Sequence, residues 1–471
     1  MRRVIADVRF ALRTLRRAPL FTTLAVLSIA LGIGANTAIF TLVDQVVLRP
    51  LPIPAPDQLV QLRIDGTFSG NTWGDGSELS YPMYQDIRDR NTAFSGVCAR
   101  FEWPMHLSGG GATERVNGEL VSGTYFPVLG VGSARGRVIT PADDRVIGGH
   151  PVAVLSFDYW TGRFNSDPRI VGRKILLNGQ PFTIIGVSRR GFHGIDIGYA
   201  TQVFVPMMMK PQMTPGWNFL DERRSRFARV FARLRPGVTA ERAEAGLQPF
   251  FRAMRQEEMR DPSFTTASAY AKREFMRASL KVVPAAQGHS GLRDFVTRPL
   301  WTLMAIVTGV LLIACANVAG LLIARGMARQ REIAIRIALG GSRLRVVLQL
   351  LVETLVLSFI GAVGGLLLAT WGTSLILSFF VDDPASAGMV SGSLDGRVLG
   401  FTVAIALATA IVCGLVPALQ ATTPSLAPTL KDQAGTVVGG GPVRLRKALV
   451  VAQVALSLLL LIGAGLFVRS L

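Results

Sequence analysis

The chain has 471 residues, 49% of them hydrophobic, and a formal net charge of +19. Apolar residues gathered into long runs exclude a single soluble domain, and three cysteines are too few for a disulfide framework. The basic excess sits beside the apolar runs and is not interleaved with base-stacking aromatics, which points away from nucleic acid as a partner.

Residues 1–20 read as a basic amphipathic helix. Val4, Ile5, Val8, Leu12 and Leu15 share one face, Arg2, Arg9, Arg13 and Arg16 another, and Pro19 ends it. Such a helix lies at the lipid interface. A first span follows at 21–43. It is longer than a signal-peptide core and no small-residue cleavage site comes after it, so it reads as a retained anchor.

Residues 44–298 are a large α+β region outside the membrane, long enough for two subdomains, with one crossing expected near Gly191 to Met213. Val152 to Trp160 begins as a strand. Asn178-Gly179 marks a hairpin within Arg173 to Val187. Arg226 to Arg235 alternates, with Val230, Ala232 and Leu234 on one face and Arg229, Arg233 and Arg235 on the other; Thr239 then caps a helix running to about Met259.

Further spans are expected at 299–323, 346–380, 398–420 and 448–468, each reaching the roughly 20 apolar residues a bilayer requires. Segments 1–20, 324–345 and 421–447 hold sixteen Lys and Arg against Asp7, Glu332 and Asp432, while loop 381–397 has one Arg and three Asp. Cytoplasmic loops concentrate Lys and Arg, so the N-terminus is expected inside and the spans alternate from there. After a Gly-rich stretch, the fifth span repeats the plan of residues 1–43, as if a second unit began there.

The segment 324–345 is the most telling. It leaves one span, becomes a short basic amphipathic helix, breaks at Gly340-Gly341 and enters the next span. Glu332 and Arg336 form an i,i+4 pair. A short helix tied to two spans reads as a docking and transmission element, with Arg331, Glu332, Arg336, Gly340, Gly341 and Arg343 as its residues. Gln349 and Glu353, one turn apart near the start of the third span, read as interfacial polar groups. Gly361 and Gly365 make a G-x-x-x-G face for close helix packing, within the chain or between two copies. Asn36 and Asn317 are expected to bond between helices. No G-x-x-x-x-G-K-[S/T] occurs, so no ATP site is expected in this chain, and the four scattered histidines suggest neither a metal site nor a catalytic base.

Leu31-Gly-Ile-Gly-Ala-Asn-Thr-Ala-Ile-Phe40, Arg331-Glu-Ile-Ala-Ile-Arg-Ile-Ala-Leu-Gly-Gly-Ser-Arg343, Gln349 with Glu353, and Gly414-Leu-Val-Pro-Ala-Leu-Gln420 resemble the FtsX-like permease family, specifically the MacB-type permeases of ABC transporters. The external hairpin is similar to the MacB-like periplasmic core domain. The fifth span resembles the start of the second unit in duplicated (acidobacterial-type) permeases.

The resemblance implies a polytopic α-helical protein of the bacterial inner membrane with a periplasmic α+β domain. It implies a dimer or pseudo-dimer working on separate ABC ATPase subunits that carry the ATP. A periplasmic adaptor or outer-membrane channel would be further partners, and macrolides, peptides or lipoprotein-type molecules the cargo. The alternative is an FtsX-like mechanical regulator of a cell-wall hydrolase. A membrane-anchored enzyme lacks a catalytic constellation in the sequence.

Overall fold

The computed structural model describes residues 2–470 except 67–70, 75, 110–111, 197, 265–266, 290, 329–341, 381–394 and 422–440. In chain order, helices α1 (Arg2–Arg16) and α2 (Pro19–Val43, continued by a π-helical turn Asp44–Leu48) lead into an extramembrane unit, Arg49–Gly291. Its strands are β1 (Leu59–Asp65), β2 (Asn71–Thr72), β3 (Leu79–Ser80), β4 (Phe94–Gly109), β5 (Ala112–Val121), β6 (Ser133–Gly136), β7 (Val152–Leu155), β8 (Lys174–Leu177), β9 (Gln180–Ser188), β10 (Val203–Pro206), β11 (Ser225–Leu234) and β12 (Ser279–Pro284). Its helices are α3 (Tyr81–Arg90), α4 (Tyr125–Leu129), α5 (Phe157–Arg163), α6 (Lys210–Met213), α7 (Ala240–Glu258) and α8 (Ala269–Arg277). The chain then returns as α9 (Gly291–Ala328), α10 (Arg343–Phe380), α11 (Gly396–Ala421) and α12 (Gly441–Ser470), which with α1 and α2 make the second unit.

One sheet runs through Arg49–Gly291 in the order β12-β1-β11-β4-β5-β10-β7-β9-β6. Because β8 pairs with both β4 and β9, the strands β4, β5, β10, β7, β9 and β8 close a ring, which leaves no open edge among them. The sixteen-residue β4 pairs with β5 in the ring and with β11 outside it, so the two halves share one long strand. The expected crossing near Gly191 to Met213 contains β10, which pairs in parallel with β5 and antiparallel with β7.

The hairpin lies at the expected residues. Leu177 faces Gln180, and Asn178 and Gly179 both take positive φ, 49° and 78°, the primed turn whose twist matches the strands. Thr239 caps α7 by accepting from the Arg242 amide.

The named residues of β11 alternate as expected, with Val230, Ala232 and Leu234 buried on one face and Arg229 and Arg233 half-buried on the other. Phe227 and Phe231, on the arginine face, are as buried as Val230 and Ala232. β11 lies between β1 and β4, and a central strand is covered on both faces. In α1, Ala11, Thr14 and Leu15 are buried against the neighbouring helices, while Ile5 and Leu12 of the expected apolar face are exposed.

In the helical unit four helices are long and apolar enough to cross a membrane among the described residues: Pro19–Leu48, Thr297–Arg325, Arg343–Thr373 and Gly396–Leu419. Within α12 the apolar stretch among those residues is shorter, Val450–Gly463.

Candidate functional site

The bundle is assembled on close backbone approach between α2 and α10. A Cβ at Gly365 would sit 3.0 Å from the Gly34 nitrogen and 3.1 Å from the Ala30 oxygen, and one at Gly361 would sit 2.5 Å from Ile29 Cγ2. The G-x-x-x-G face is therefore filled within the chain, by Ala30 and Gly34 at the same spacing on α2. Gly414 of α11 likewise admits Thr354 of α10, whose hydroxyl also bonds the Ala410 carbonyl at 3.3 Å. Asn36 donates to the Val307 carbonyl at 2.9 Å and accepts from the Thr308 hydroxyl at 3.0 Å, joining α2 to α9. Asn317 does not do the same: it lies exposed on α9 and makes no interhelical bond among the described residues.

Arg325, near the end of α9, gathers four helices. Its guanidinium pairs with Glu353 of α10 at 3.2 Å, donates to the Thr14 carbonyl of α1 at 2.9 Å, and lies 4.8 Å from the centre of the Phe21 ring of α2. Glu353 is only 5% exposed. A buried carboxylate needs a charged partner, and Arg325 supplies it. Gln349 is half-buried one turn earlier, and Arg343 opens α10 exposed. Arg331, Glu332, Arg336, Gly340 and Gly341 lie outside the described residues, in the stretch that Arg325 and Glu353 flank in sequence.

Arg325 was not singled out from the sequence because a lone Arg at the end of a span reads as an ordinary cytoplasmic flank. The available signal was Glu353 itself, an acid inside an apolar run that calls for a cation.

A second charged constellation lies inside Arg49–Gly291. Arg100 on β4 is fully buried and pairs with Glu119 of β5 at 3.3 Å, with Glu102 at 3.3 Å, and with Asp196. Its cross-strand neighbour Arg229 pairs with Glu102 at 2.6 Å, Asp196 at 3.5 Å and Glu78 at 3.6 Å. Thr201 donates to Glu119 at 2.8 Å, yet burial still holds the Glu119 carboxyl above its ordinary range.

Asp196 forms a β-bridge with His289, whose ring bonds Gln61 at 3.1 Å. Burial, with Arg229 and Arg100 nearby, pushes the His289 pKa down to about 3, so the ring is neutral. Just before it, Gly288 (φ 75°) lies so close to the Ile195 carbonyl that a Cβ would sit 2.2 Å away. Leu51 donates to the Ala286 carbonyl at 2.8 Å, which straps together the two ends of this unit. Among the described residues no group of His, Cys, Asp and Glu is placed to hold a metal ion.

These features define a multi-pass membrane protein with a sheet-rich extramembrane α+β domain, four of its helices meeting at Arg325. The family model of the MacB-like periplasmic core domain matches residues 22–250, and that of the FtsX-like permease C-terminal region matches 304–426. The chain belongs to the MacB/FtsX-type ABC permeases.

Among relatives, the macrolide export ATP-binding/permease protein MacB of Campylobacter jejuni is 22% identical over 385 residues, 79% of this chain and 53% of that one. MacB of Burkholderia thailandensis is 27% identical over 293 residues, 60% of this chain and 40% of its own. The chain thus spans about half the length, or less, of these relatives. The solved periplasmic region of MacB from Actinobacillus actinomycetemcomitans is similar at a TM-score of 0.33 and 17% identity, over 46% of this chain and 96% of that one; at that score the likeness carries no argument.

Proposed function

We propose that the chain is the membrane-spanning permease subunit of an ABC-type exporter. In this reading its N-terminus is cytoplasmic, its α+β domain periplasmic, and ATP is held by a separate ABC ATPase. The carrying observation is the Arg325 node. Arg325 and Glu353 tie α1, α2, α9 and α10 at the two ends of the stretch that holds Arg331, Glu332, Arg336, Gly340 and Gly341, so a displacement there reaches four helices together. The relatives named for macrolide export support efflux of a macrolide-like, peptide or lipoprotein-type cargo, by a dimer or pseudo-dimer acting with a periplasmic adaptor or outer-membrane channel.

The test is co-purification of the intact chain with ATPases of its own source, beside a version in which 325–345 is a neutral linker. An ATPase that binds the first and not the second supports the reading. Reversing Glu332 and Arg336 separately should then uncouple ATP hydrolysis from transport. Coupled transport unchanged in both variants would sink those assignments. Capture of a cell-wall hydrolase in place of an adaptor or channel would favour the mechanical regulator.

A further inference from the structure

We infer that the outward face of α1 is a binding surface for anionic phospholipid headgroups, and that this contact helps hold the helix at the Arg325 node. Among the described residues of α1, Ala11, Thr14 and Leu15 alone are buried, all on the bundle side. Arg9, Arg13 and Arg16 are exposed at i, i+4 and i+7, which places them in one stripe directed away from the bundle. Exposed Ile5 (49%) and Leu12 (40%) run along one flank of the stripe, and Phe10 (40%) lies on the other.

Two features choose lipid over an acidic protein. Arg17 and Ala18 alone separate α1 from Pro19, the first residue of a membrane-crossing helix, so connectivity sets α1 at the depth of the headgroups. Apolar side chains beside an arginine stripe also suit an interface, where the first enter the acyl boundary and the second meet phosphates. The consequence is local. The Thr14 carbonyl, on the bundle side of the same helix, accepts from Arg325, so α1 held on the headgroups keeps that acceptor beside the Arg325–Glu353 pair. This inference depends on the membrane-crossing helices and not on transport, so it stands or falls apart from the exporter reading.

The test uses the full chain in nanodiscs. Cys98, Cys315 and Cys413 are buried, so an Ala6→Cys variant can be labelled selectively at that exposed position with an environment-sensitive fluorophore. Quenching is compared between brominated phosphatidylglycerol and brominated phosphatidylcholine, each as a minor component. Three arginines at the surface should give phosphatidylglycerol a preference of roughly tenfold or more, reduced by salt.

The preference should disappear in Arg9→Gln/Arg13→Gln/Arg16→Gln, with helix content by circular dichroism as the folding control. A second variant, Arg16→Gln alone, should lose part of it. Equal quenching by the two lipids, unchanged in the triple variant, would overturn the inference. So would a fluorophore quenched by neither lipid in a triple variant that no longer retains a partner ATPase, which would assign the stripe to protein.

Discussion

Replacing Gly365 by Val tests the α2–α10 contact on which the bundle is built. The first added carbon would lie 3.0 Å from the Gly34 nitrogen and 3.1 Å from the Ala30 oxygen. Both are main-chain atoms that cannot rotate away, so the helices must separate. Overpacking of this kind costs about 1–3 kcal/mol, and valine's two further methyls put the cost near the top of that range. A helical glycine gives back at most about 1 kcal/mol when replaced, which leaves a net loss of about 2 kcal/mol.

Gly372, on the same helix, has nothing within 4 Å of its Cβ position, so Gly372→Ala feels only the propensity gain. A thiol-reactive dye reads both, because the cysteines are buried, and in a Cys98→Ser background only Cys315 and Cys413 of the bundle report. At about 2–4 °C per kcal/mol for a unit of this size, Gly365→Val should melt about 4–8 °C lower and Gly372→Ala up to about 4 °C higher. Unchanged melting of Gly365→Val would refute the packing argument. A change in oligomeric state alone would move the face to a contact between copies.

Arg325→Ala leaves Glu353 buried without this cation and removes a donor from the Thr14 carbonyl; it should cost about 3 kcal/mol in the same assay, and Arg325→Lys less. Asn178→Ala removes an acceptor from the His106 amide and a donor from the Met213 carbonyl at a positive-φ position, so it should cost about 1–3 kcal/mol, read by earlier exposure of Cys98. Lys210 is buried among Trp217, Phe227 and Phe101, and burial lowers its pKa to about 7. Between that value and its ordinary 10.5 the unfolded chain holds a proton the folded chain lacks, so stability should rise with pH across that window. In Lys210→Met, pH-dependent melting should show a flatter rise there; an unaltered slope would refute the assignment.

The long elements were legible because each rests on a local signal. An apolar run, a two-residue Asn178-Gly179 turn and a Thr239 cap are each complete within a few residues. Features that depend on what lies alongside were not. The alternation of β11 placed Arg229 and Arg233 together on one face, but alternation alone cannot reveal that the strand lies between β1 and β4. Arg100 carried no signal, since its partners come from Glu102, Glu119 and Asp196, the last of them 96 residues away. The G-x-x-x-G motif was visible, but its partner is set by small residues at the same spacing in α2, a pairing that a single-segment reading leaves open. Which face of α1 meets the bundle, with Ala11, Thr14 and Leu15 inside and Leu12 outside, depends on neighbouring helices that a single segment does not show.

The two charged constellations share a physical logic. Taking an Arg and its carboxylates out of water costs roughly what their attraction returns, so such pairs are weak contributors to stability and are better explained by the position they impose. Arg100 and Arg229 hold Asp196, and Asp196 bridges to His289, two residues before α9 begins. Arg325 lies near the opposite end of that helix and holds Glu353 and Thr14. Within the helical unit, Arg325 ties the end of α9 to α1 and α10 through buried charge, where apolar contacts alone would tolerate sliding. Buried ion pairs supply directional contacts that tolerate little movement. The tie at the Arg325 end is the less buried of the two, with the Arg325 side chain 17% exposed against none for Arg100.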